Sequence, residues 1–153
     1  MLRSFRLLAA VAMAAILVGC PGRGGEGDLA GGSFGGEGTL FARLGGMDGV
    51  RALVDDLASR VAADERIQRF FVRTDFRRFK ARLVVQLCAL SGGPCRYTGR
   101  TMDEVHRGRR IRSADFEAFM EDVAASLTAI RLSARDRVEF LKRLRAMKPE
   151  IAH

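Results

Sequence analysis

His106 is the one histidine in the interior of the chain, since the other, His153, is the last residue. An imidazole that binds a metal is neutral and presents a free ring nitrogen. Met102 lies one helical turn earlier, so the imidazole points with the apolar side. These residues leave two interpretations open: a metal ligand, or a core histidine hydrogen-bonded to a carbonyl. Four arginines follow the histidine: Arg107, Arg109, Arg110 and Arg112.

Most metal and catalytic sites are excluded around this histidine. No second internal histidine is present to complete a zinc or non-haem iron site. Cys88 and Cys95 stand seven positions apart, which is a poor zinc pattern without further ligands. They could provide a nucleophile with His106 as its base, but a disulfide between them would remove that possibility. No glycine-rich stretch has the strand–loop–helix setting of a phosphate-binding loop.

Haem is a cofactor that needs only one histidine from the protein, because it supplies four nitrogen ligands itself. It also needs a large apolar slot, and the chain contains ten phenylalanines. Arginine pairs well with carboxylates such as the two haem propionates. The basic residues near the helices that would form such a slot are Arg78, Lys80, Arg82, Arg107 and Arg109.

The N-terminal stretch has the layout of a bacterial secretory signal. Arg3 and Arg6 precede an apolar run, residues 7–18, which is too short to span a bilayer as a helix. The sequence LVGC at residues 17–20 resembles the lipobox of bacterial lipoproteins. A lipobox implies cleavage before Cys20 and lipidation of its thiol. An ordinary cleaved signal and an uncleaved anchor are the alternatives.

A glycine-rich segment, PGRGGEGDLAGGSFGGEG, follows the signal. It has too little apolar surface to order itself, which predicts a flexible tether of roughly 20–25 Å between its ends. Export would also place Cys88 and Cys95 in an oxidising compartment, where a disulfide between them persists. The predicted organisation is a signal peptide at 1–19, lipidated Cys20 with its tether at 20–38, and a helical domain at 39–153.

The charge and composition narrow the class of partner. A chain of 153 residues, 48% hydrophobic, allows one domain with a real core. The formal net charge of +8 attracts polyanions or anionic membranes. The arginines are scattered along predicted helical faces, however, and this favours a solvated basic surface. Nucleic-acid binding is not expected, because an exported chain does not meet DNA.

The domain is predicted to be all-α, since its apolar residues recur at the 3.6-residue period and no stretch alternates as a strand. Glu104 stands three residues after Thr101, which is the capping-box pattern. Glycines at 92 and 93 with Pro94 end the preceding helix. The predicted helix starts are Asp48, Thr74 or Asp75, Thr101, Ser113 and Ser133.

The order of residues from Thr39 to Pro149 resembles a group I truncated haemoglobin. Each motif is weak alone, but their order and spacing together are specific. The pair Cys88/Cys95 is similar to that of a subgroup of exported members. The matching elements are Leu-Gly-Gly at 44–46, Phe70-Phe71, Thr74-Asp75, Gly-Gly-Pro at 92–94, Tyr-Thr-Gly-Arg at 97–100, Met102, Val105-His106 and Gly108.

The resemblance implies a shortened globin, a two-over-two helical sandwich that binds haem b. The family's proximal iron ligand falls on His106, and the phenylalanine against the haem face falls on Phe71. A disulfide between Cys88 and Cys95 would tie the distal helix to the proximal loop. The expected cofactor-binding residues are His106, Phe71, Phe70, Phe79, Leu83, Leu57, Ala58, Arg82, Met102 and Arg109.

The sequence departs from the family on the distal side. The family's distal tyrosine falls on Ala58 and its distal glutamine on Leu83, while the gate position is Phe79. A bound oxygen molecule is held by a hydrogen-bond donor, which contributes about 1.5–3 kcal/mol. The distal side is therefore expected to be apolar and to release oxygen quickly. Gln86 could supply a donor, but it is expected on a solvated face.

These observations predict a membrane-tethered haem protein that binds oxygen, nitric oxide or carbon monoxide reversibly. It is expected to be exported and held on the periplasmic side of the outer membrane. The alternatives are a haem enzyme of nitric oxide or peroxide chemistry, an electron-transfer protein with an unidentified redox partner, and a haem-free helical adaptor. An enzyme is less expected, because the distal side lacks an acid–base group.

Overall fold

The structure is a computed structural model that describes residues 38–152. The predicted signal peptide, Cys20, nearly all of the tether and His153 lie outside the described residues. No strand occurs between residues 38 and 152, as the sequence predicts. The helices are α1 (Leu40–Arg43), α2 (Gly46–Ala63), a 3₁₀ turn (Gln68–Phe70), α3 (Phe76–Leu90), α4 (Met102–His106), α5 (Ser113–Ala129), α6 (Ala134–Arg145) and α7 (Lys148–Ile151).

The long helices form the packed layers. Helix α2 packs against both α3 and α5, and α5 packs against α6. The short helix α4 contacts α7 near the C-terminus. No helix within the described part of the chain is long and apolar enough to cross a bilayer.

The core comes from the apolar faces that the helical period predicts. Leu53, Leu57 and Val61 of α2 are almost fully buried, as are Val123 and Leu127 of α5. Such aliphatic side chains each contribute about 1.5–3 kcal/mol when buried. The core therefore lies mainly between α2, α5 and α6.

Helix α3 is buried less completely than α2. Only Leu87 and Cys88 of this helix are buried, near its C-terminal end. Its other apolar side chains, including Phe79, Leu83 and Val84, pack against the core but remain half-buried. One end of α3 is thus fixed in the core, while the rest presents an apolar wall.

The helix ends follow the predicted capping signals with one exception. Thr101 and Glu104 form the capping box of α4, and Asp75 caps α3 by accepting from the amide of Arg78. Ser113 was expected to cap α5, and this prediction is wrong. Arg112 is the N-cap residue, and its amide donates to the Asp115 carboxylate. That carboxylate is a stronger acceptor than the serine hydroxyl.

Candidate functional site

His106 ends α4 with one ring nitrogen already fixed. Its Nδ1 lies 2.8 Å from the carbonyl oxygen of Met102, one turn earlier. A carbonyl only accepts hydrogen bonds, so Nδ1 carries the proton and Nε2 carries the free lone pair. Nε2 has no hydrogen-bond partner within residues 38–152. This is the tautomer of a histidine that binds a metal through Nε2.

The environment keeps this imidazole neutral. Partial burial lowers the pKa of His106 below its ordinary value, and the charge of Arg109 lowers it further. The hydrogen bond to the Met102 carbonyl raises the pKa, but by less than burial lowers it, and the Arg109 charge is the smallest of the three effects. The neutral form that can bind a metal therefore dominates at pH 7.

Arginine side chains hold the short helix α4 in place. Arg100 Nη2 donates to the carbonyl of Glu104 at 2.7 Å, and Arg109 Nε donates to the carbonyl of Val105 at 2.8 Å. A five-residue helix leaves its last carbonyls without intrahelical partners, and these guanidinium groups supply them. The basic setting of His106 thus has a structural use.

Gln86 does not lie on a solvated face, contrary to the expectation. It is half-buried, and its Nε2 donates to the sulfur of Met102 at 3.1 Å. Met102 is only 7% exposed. The prediction was wrong because Gln86 lies on the same face of α3 as Phe79 and Leu83. Its amide contacts Met102 of α4, and the sequence of α3 alone does not reveal that contact.

Phenylalanines cluster at the start of α3. The ring centroids of Phe71 and Phe79 lie 5.5 Å apart, edge to face; Phe76 meets Phe79 edge-on at 5.9 Å and stacks on Phe71 at 6.3 Å. Such edge and stacked contacts stabilise aromatic clusters beyond simple burial. Phe70 lies apart from this cluster, beneath the guanidinium of Arg69 at 4.4 Å. The structure thus places Phe76, which is not among the expected cofactor-binding residues, beside Phe71 and Phe79.

Ala58 lies on α2 facing α3. It is 6% exposed and lines a groove of about 400 Å³ between the two helices, together with Ser59, Ala62 and Phe76. Lys80 and Asp55 form an ion pair at 3.0 Å across this groove. Leu57, by contrast, lies in the central core. Ala58 and Leu83 bring no polar side-chain atom to this side of the molecule.

The five basic residues expected around the slot fall into three groups. The side chains of Lys80 and Arg107 are paired with Asp55 and Asp103, respectively. Arg109 is partly committed to a backbone carbonyl. Arg78 and Arg82 are exposed and form no ion pair with another described residue. Among the five expected residues, these two are the ones left to meet an external carboxylate.

Cys88 and Cys95 are joined in a disulfide, as predicted, with their Cα atoms 5.7 Å apart. The bond connects the end of α3 to the loop that leads to α4. It excludes the alternatives of a two-cysteine metal site and a thiol nucleophile. Among the described residues, no group of three or more histidine, cysteine, aspartate or glutamate side chains is placed to hold a metal ion.

The donor set therefore fits haem. A half-buried neutral imidazole offers one nitrogen, and the half-buried phenylalanine and leucine side chains of α3 offer an apolar wall. Arg82 stands exposed on the same helix for a carboxylate. The structure brings together Phe71 and Phe79 on one side, and His106 and Met102 on the other, as separate clusters.

Comparisons with known proteins agree on one family. Residues 39–153 match the family model described as bacterial-like globin. The group 1 truncated hemoglobin GlbN of Mycolicibacterium paratuberculosis is 34% identical over 114 residues, covering 74% of this chain and 84% of that protein. A Nostoc relative of the same description is 31% identical over 113 residues, covering 74% and 96%.

Solved structures show the same relationship. The Fe(III) form of truncated hemoglobin from Tetrahymena pyriformis superposes with a TM-score of 0.72 at 30% identity, covering 74% of this chain and 97% of that one. The 2/2 hemoglobin from Synechococcus, in the cyanomet state and with covalently attached heme, gives a TM-score of 0.66 at 28% identity, covering 69% and 89%. The described helices thus have the arrangement of a two-over-two globin.

Proposed function

The chain belongs to the bacterial-like globins, among the group 1 truncated haemoglobins, and we propose that it binds a diatomic gas at a haem held by His106. As a globin, it is a haem protein whose ligands are diatomic gases. The finer proposal concerns which residues hold the haem and how the distal side treats the ligand.

The observation that carries the residue assignment is the state of His106. Its Nδ1 is bound to the Met102 carbonyl, its pKa is lowered by burial, and its Nε2 has no described partner. A core histidine would satisfy both ring nitrogens or bury the second one. A neutral ring with one committed nitrogen is what a proximal ligand requires.

The remaining residues have separate roles in this proposal. Haem supplies an iron that takes up a diatomic gas reversibly. Phe71 and Phe79 form the apolar wall, together with Leu83 of the same face. Arg82 is available to pair with a propionate. Met102 orients His106 through its carbonyl oxygen and accepts from Gln86 through its sulfur. Arg109 donates to the carbonyl of Val105 in α4.

The distal residues favour weak retention of oxygen. Ala58 has no side-chain donor, and neither Phe79 nor Leu83 provides one. The Gln86 amide, the candidate substitute, donates to Met102 on the α4 side. We therefore expect oxygen to dissociate quickly, whereas carbon monoxide, which depends less on a donor, is affected less.

The electron-transfer alternative gains no support from the methionines. Met102 lies on the same helix as His106 and one turn before it, with its sulfur bonded to Gln86. Met120 is 1% exposed and belongs to the central core. The Met102 sulfur is therefore bonded to Gln86 on the His106 side, and Met120 is enclosed in the core.

The ultraviolet–visible spectrum tests the proposal directly. The mature protein with haem should give a Soret band that changes between the ferric, ferrous, oxygen and carbon monoxide forms. His106→Gly should lose or grossly change these bands, and added imidazole should restore them by occupying the vacated position. A variant whose spectra match those of the unaltered protein would refute the assignment of His106.

We propose the location from the sequence alone. The signal layout and LVGC at residues 17–20 support export, lipidation of Cys20 and a place on the periplasmic side of the outer membrane. The disulfide is compatible with an oxidising compartment. Mass spectrometry of the mature N-terminus should find a lipidated Cys20, and a Cys20→Ser control should lack it. An unmodified or uncleaved N-terminus in the unaltered protein would overturn this proposal.

A further inference from the structure

A polar link joins the distal helix α3 to the proximal helix α4. Gln86 Nε2 donates to Met102 Sδ at 3.1 Å, and this hydrogen bond joins the two helices. The amide nitrogen must face the sulfur, because a thioether accepts hydrogen bonds but cannot donate them. The orientation of the Gln86 amide is therefore determined by its partner.

The link continues from Met102 to the imidazole. The carbonyl oxygen of Met102 lies 2.8 Å from His106 Nδ1. Met102 thus accepts one hydrogen bond from Gln86 through its sulfur and one from His106 through its backbone carbonyl. A displacement of Met102 would move the oxygen that orients the imidazole.

Contacts on the solvent side of α4 do not replace this link. Thr101 and Glu104 fix the start of the helix, but both are exposed. Met102 is the one buried residue of α4. Its contact with Gln86 consequently provides a polar anchor on the inner side of a helix only five residues long.

Gln86 also shares a face of α3 with residues of the distal wall. Phe79, Leu83 and Gln86 stand at i, i+4 and i+7, which places them along one helical face. If α3 moved relative to a bound ligand, Gln86 would move with it, and its hydrogen bond would transmit that movement to Met102. The disulfide at Cys88 limits such movement two residues later.

We propose that Gln86 is a positioning residue for His106, whose amide fixes Met102 and thereby orients the imidazole from the distal helix. This inference rests on the proposed role of His106 as the iron ligand. When Nδ1 donates a hydrogen bond, the other ring nitrogen becomes more basic and donates its electron pair more strongly to a metal. Loss of the Gln86 contact should weaken that hydrogen bond and the bond between histidine and iron.

Gln86→Leu tests the proposal in the haem-loaded protein. The iron–histidine stretching band of the ferrous form, measured by resonance Raman spectroscopy, should move to lower frequency or broaden. Haem transfer to an acceptor protein should become roughly two- to fivefold faster, which corresponds to the lower part of the range for one hydrogen bond, since a thioether is a weak acceptor. The control is Gln68→Leu, at the other glutamine of the chain, which is exposed in the 3₁₀ turn. It should change neither measurement.

Met102→Leu provides a second, independent variant. It keeps the backbone carbonyl and nearly the same side-chain volume but removes the sulfur acceptor. The band should shift as in Gln86→Leu, and the double variant should shift no further than either single one, since both remove the same contact. If Gln86→Leu does not fold, Met102→Leu decides the question alone.

Two failures can be distinguished. An unmoved band in a folded Gln86→Leu or Met102→Leu protein would overturn the positioning role while leaving His106 as the ligand. If the unaltered protein shows no iron–histidine band that disappears in His106→Gly, the proposed function itself is wrong, and this inference is wrong with it.

Discussion

On the α4 side of the site, His106 is hydrogen-bonded to the Met102 carbonyl and the Met102 sulfur accepts from Gln86, whereas on the α2–α3 side Ala58, Phe79 and Leu83 bring only carbon atoms. The proximal side therefore specifies an orientation and a protonation state. The three distal positions specify shape alone. Under the proposed function, this difference predicts that polar contacts orient the iron ligand His106, whereas none of the three distal side chains offers a hydrogen-bond donor to the gas.

The largest expected effect comes from adding a donor to the distal side. Ala58→Tyr should slow oxygen dissociation by about ten- to more than a hundredfold, since a hydrogen bond to a charge-like acceptor contributes about 1.5–3 kcal/mol. Stopped-flow displacement of oxygen by carbon monoxide measures the rate. Ala58→Phe is the matched control, because it adds the ring without the hydroxyl.

A rate that slows equally in Ala58→Tyr and Ala58→Phe would contradict the comparison, because steric closure and not hydrogen bonding would then be responsible. No slowing in either variant would mean that a donor is already present on the distal side or that position 58 does not face the ligand.

Loss of the disulfide should loosen the connection between the two sides. In the chain-entropy description, a closed loop of about eight residues stabilises a fold by about 2.5 kcal/mol. A variant with Cys88→Ala and Cys95→Ala should lose about this much free energy of unfolding, measured by chemical denaturation. A dithiol reductant should destabilise the unaltered protein to the same extent and leave the double variant unchanged. Equal stability with and without reductant would contradict the prediction.

Asp115 connects the two sides through electrostatics. Its carboxylate accepts from the amide of Arg112, just after the proximal segment, and contacts Arg69, beside Phe70, at 2.5 Å. The hydrogen bond from the Arg112 amide, with the two guanidinium groups, lowers the pKa of Asp115 to about 2. The unfolded chain titrates near 3.9. The stabilisation is therefore complete above about pH 4 and disappears as the pH falls towards 2.

Asp115→Asn should remove this acid-sensitive contribution. We expect a loss of roughly 1–2 kcal/mol at pH 7, limited because the two arginines are largely exposed. Urea denaturation at pH 7 and at pH 2.5 measures it, and the difference between the two proteins should shrink at the lower pH. A difference that stays constant with pH would show that the charge of Asp115 is not responsible.

The smallest of these effects tests the short proximal helix. Thr101→Ala should cost about 1 kcal/mol of stability, because it removes the side chain that caps α4. Ser113→Ala is the matched control, since α5 has no cap bond from a serine, and it should cost almost nothing. Thermal denaturation of the two variants gives the comparison. Equal costs would mean that the cap of α4 does not matter for stability.

Parts of the site follow from short sequence patterns. The capping box of Thr101 and Glu104 involves residues three positions apart, so it could be predicted without knowing the fold. The disulfide partners could be predicted because Cys88 and Cys95 are the two cysteines of the domain. His106 stood out as the one internal histidine, and the family resemblance gave it a role.

Other contacts could not be predicted, because they join residues that only the tertiary fold brings together. Lys80 was expected near the slot, yet it pairs with Asp55 of the neighbouring helix. The partner of Gln86 lies sixteen residues further along, beyond a loop whose path the helical period does not specify.

The sequence alone determined that this chain is helical and that it has one internal histidine, because both follow from residue type and local spacing. The assignment of Ala58 and Leu83 to the distal positions came from the family resemblance. The free nitrogen of His106 follows from the helical conformation of α4 itself, since Nδ1 bonds to a carbonyl one turn earlier in the same helix. The tertiary structure decided that Gln86 faces Met102, because that contact depends on where α4 lies relative to α3, and that position is set by packing across the domain.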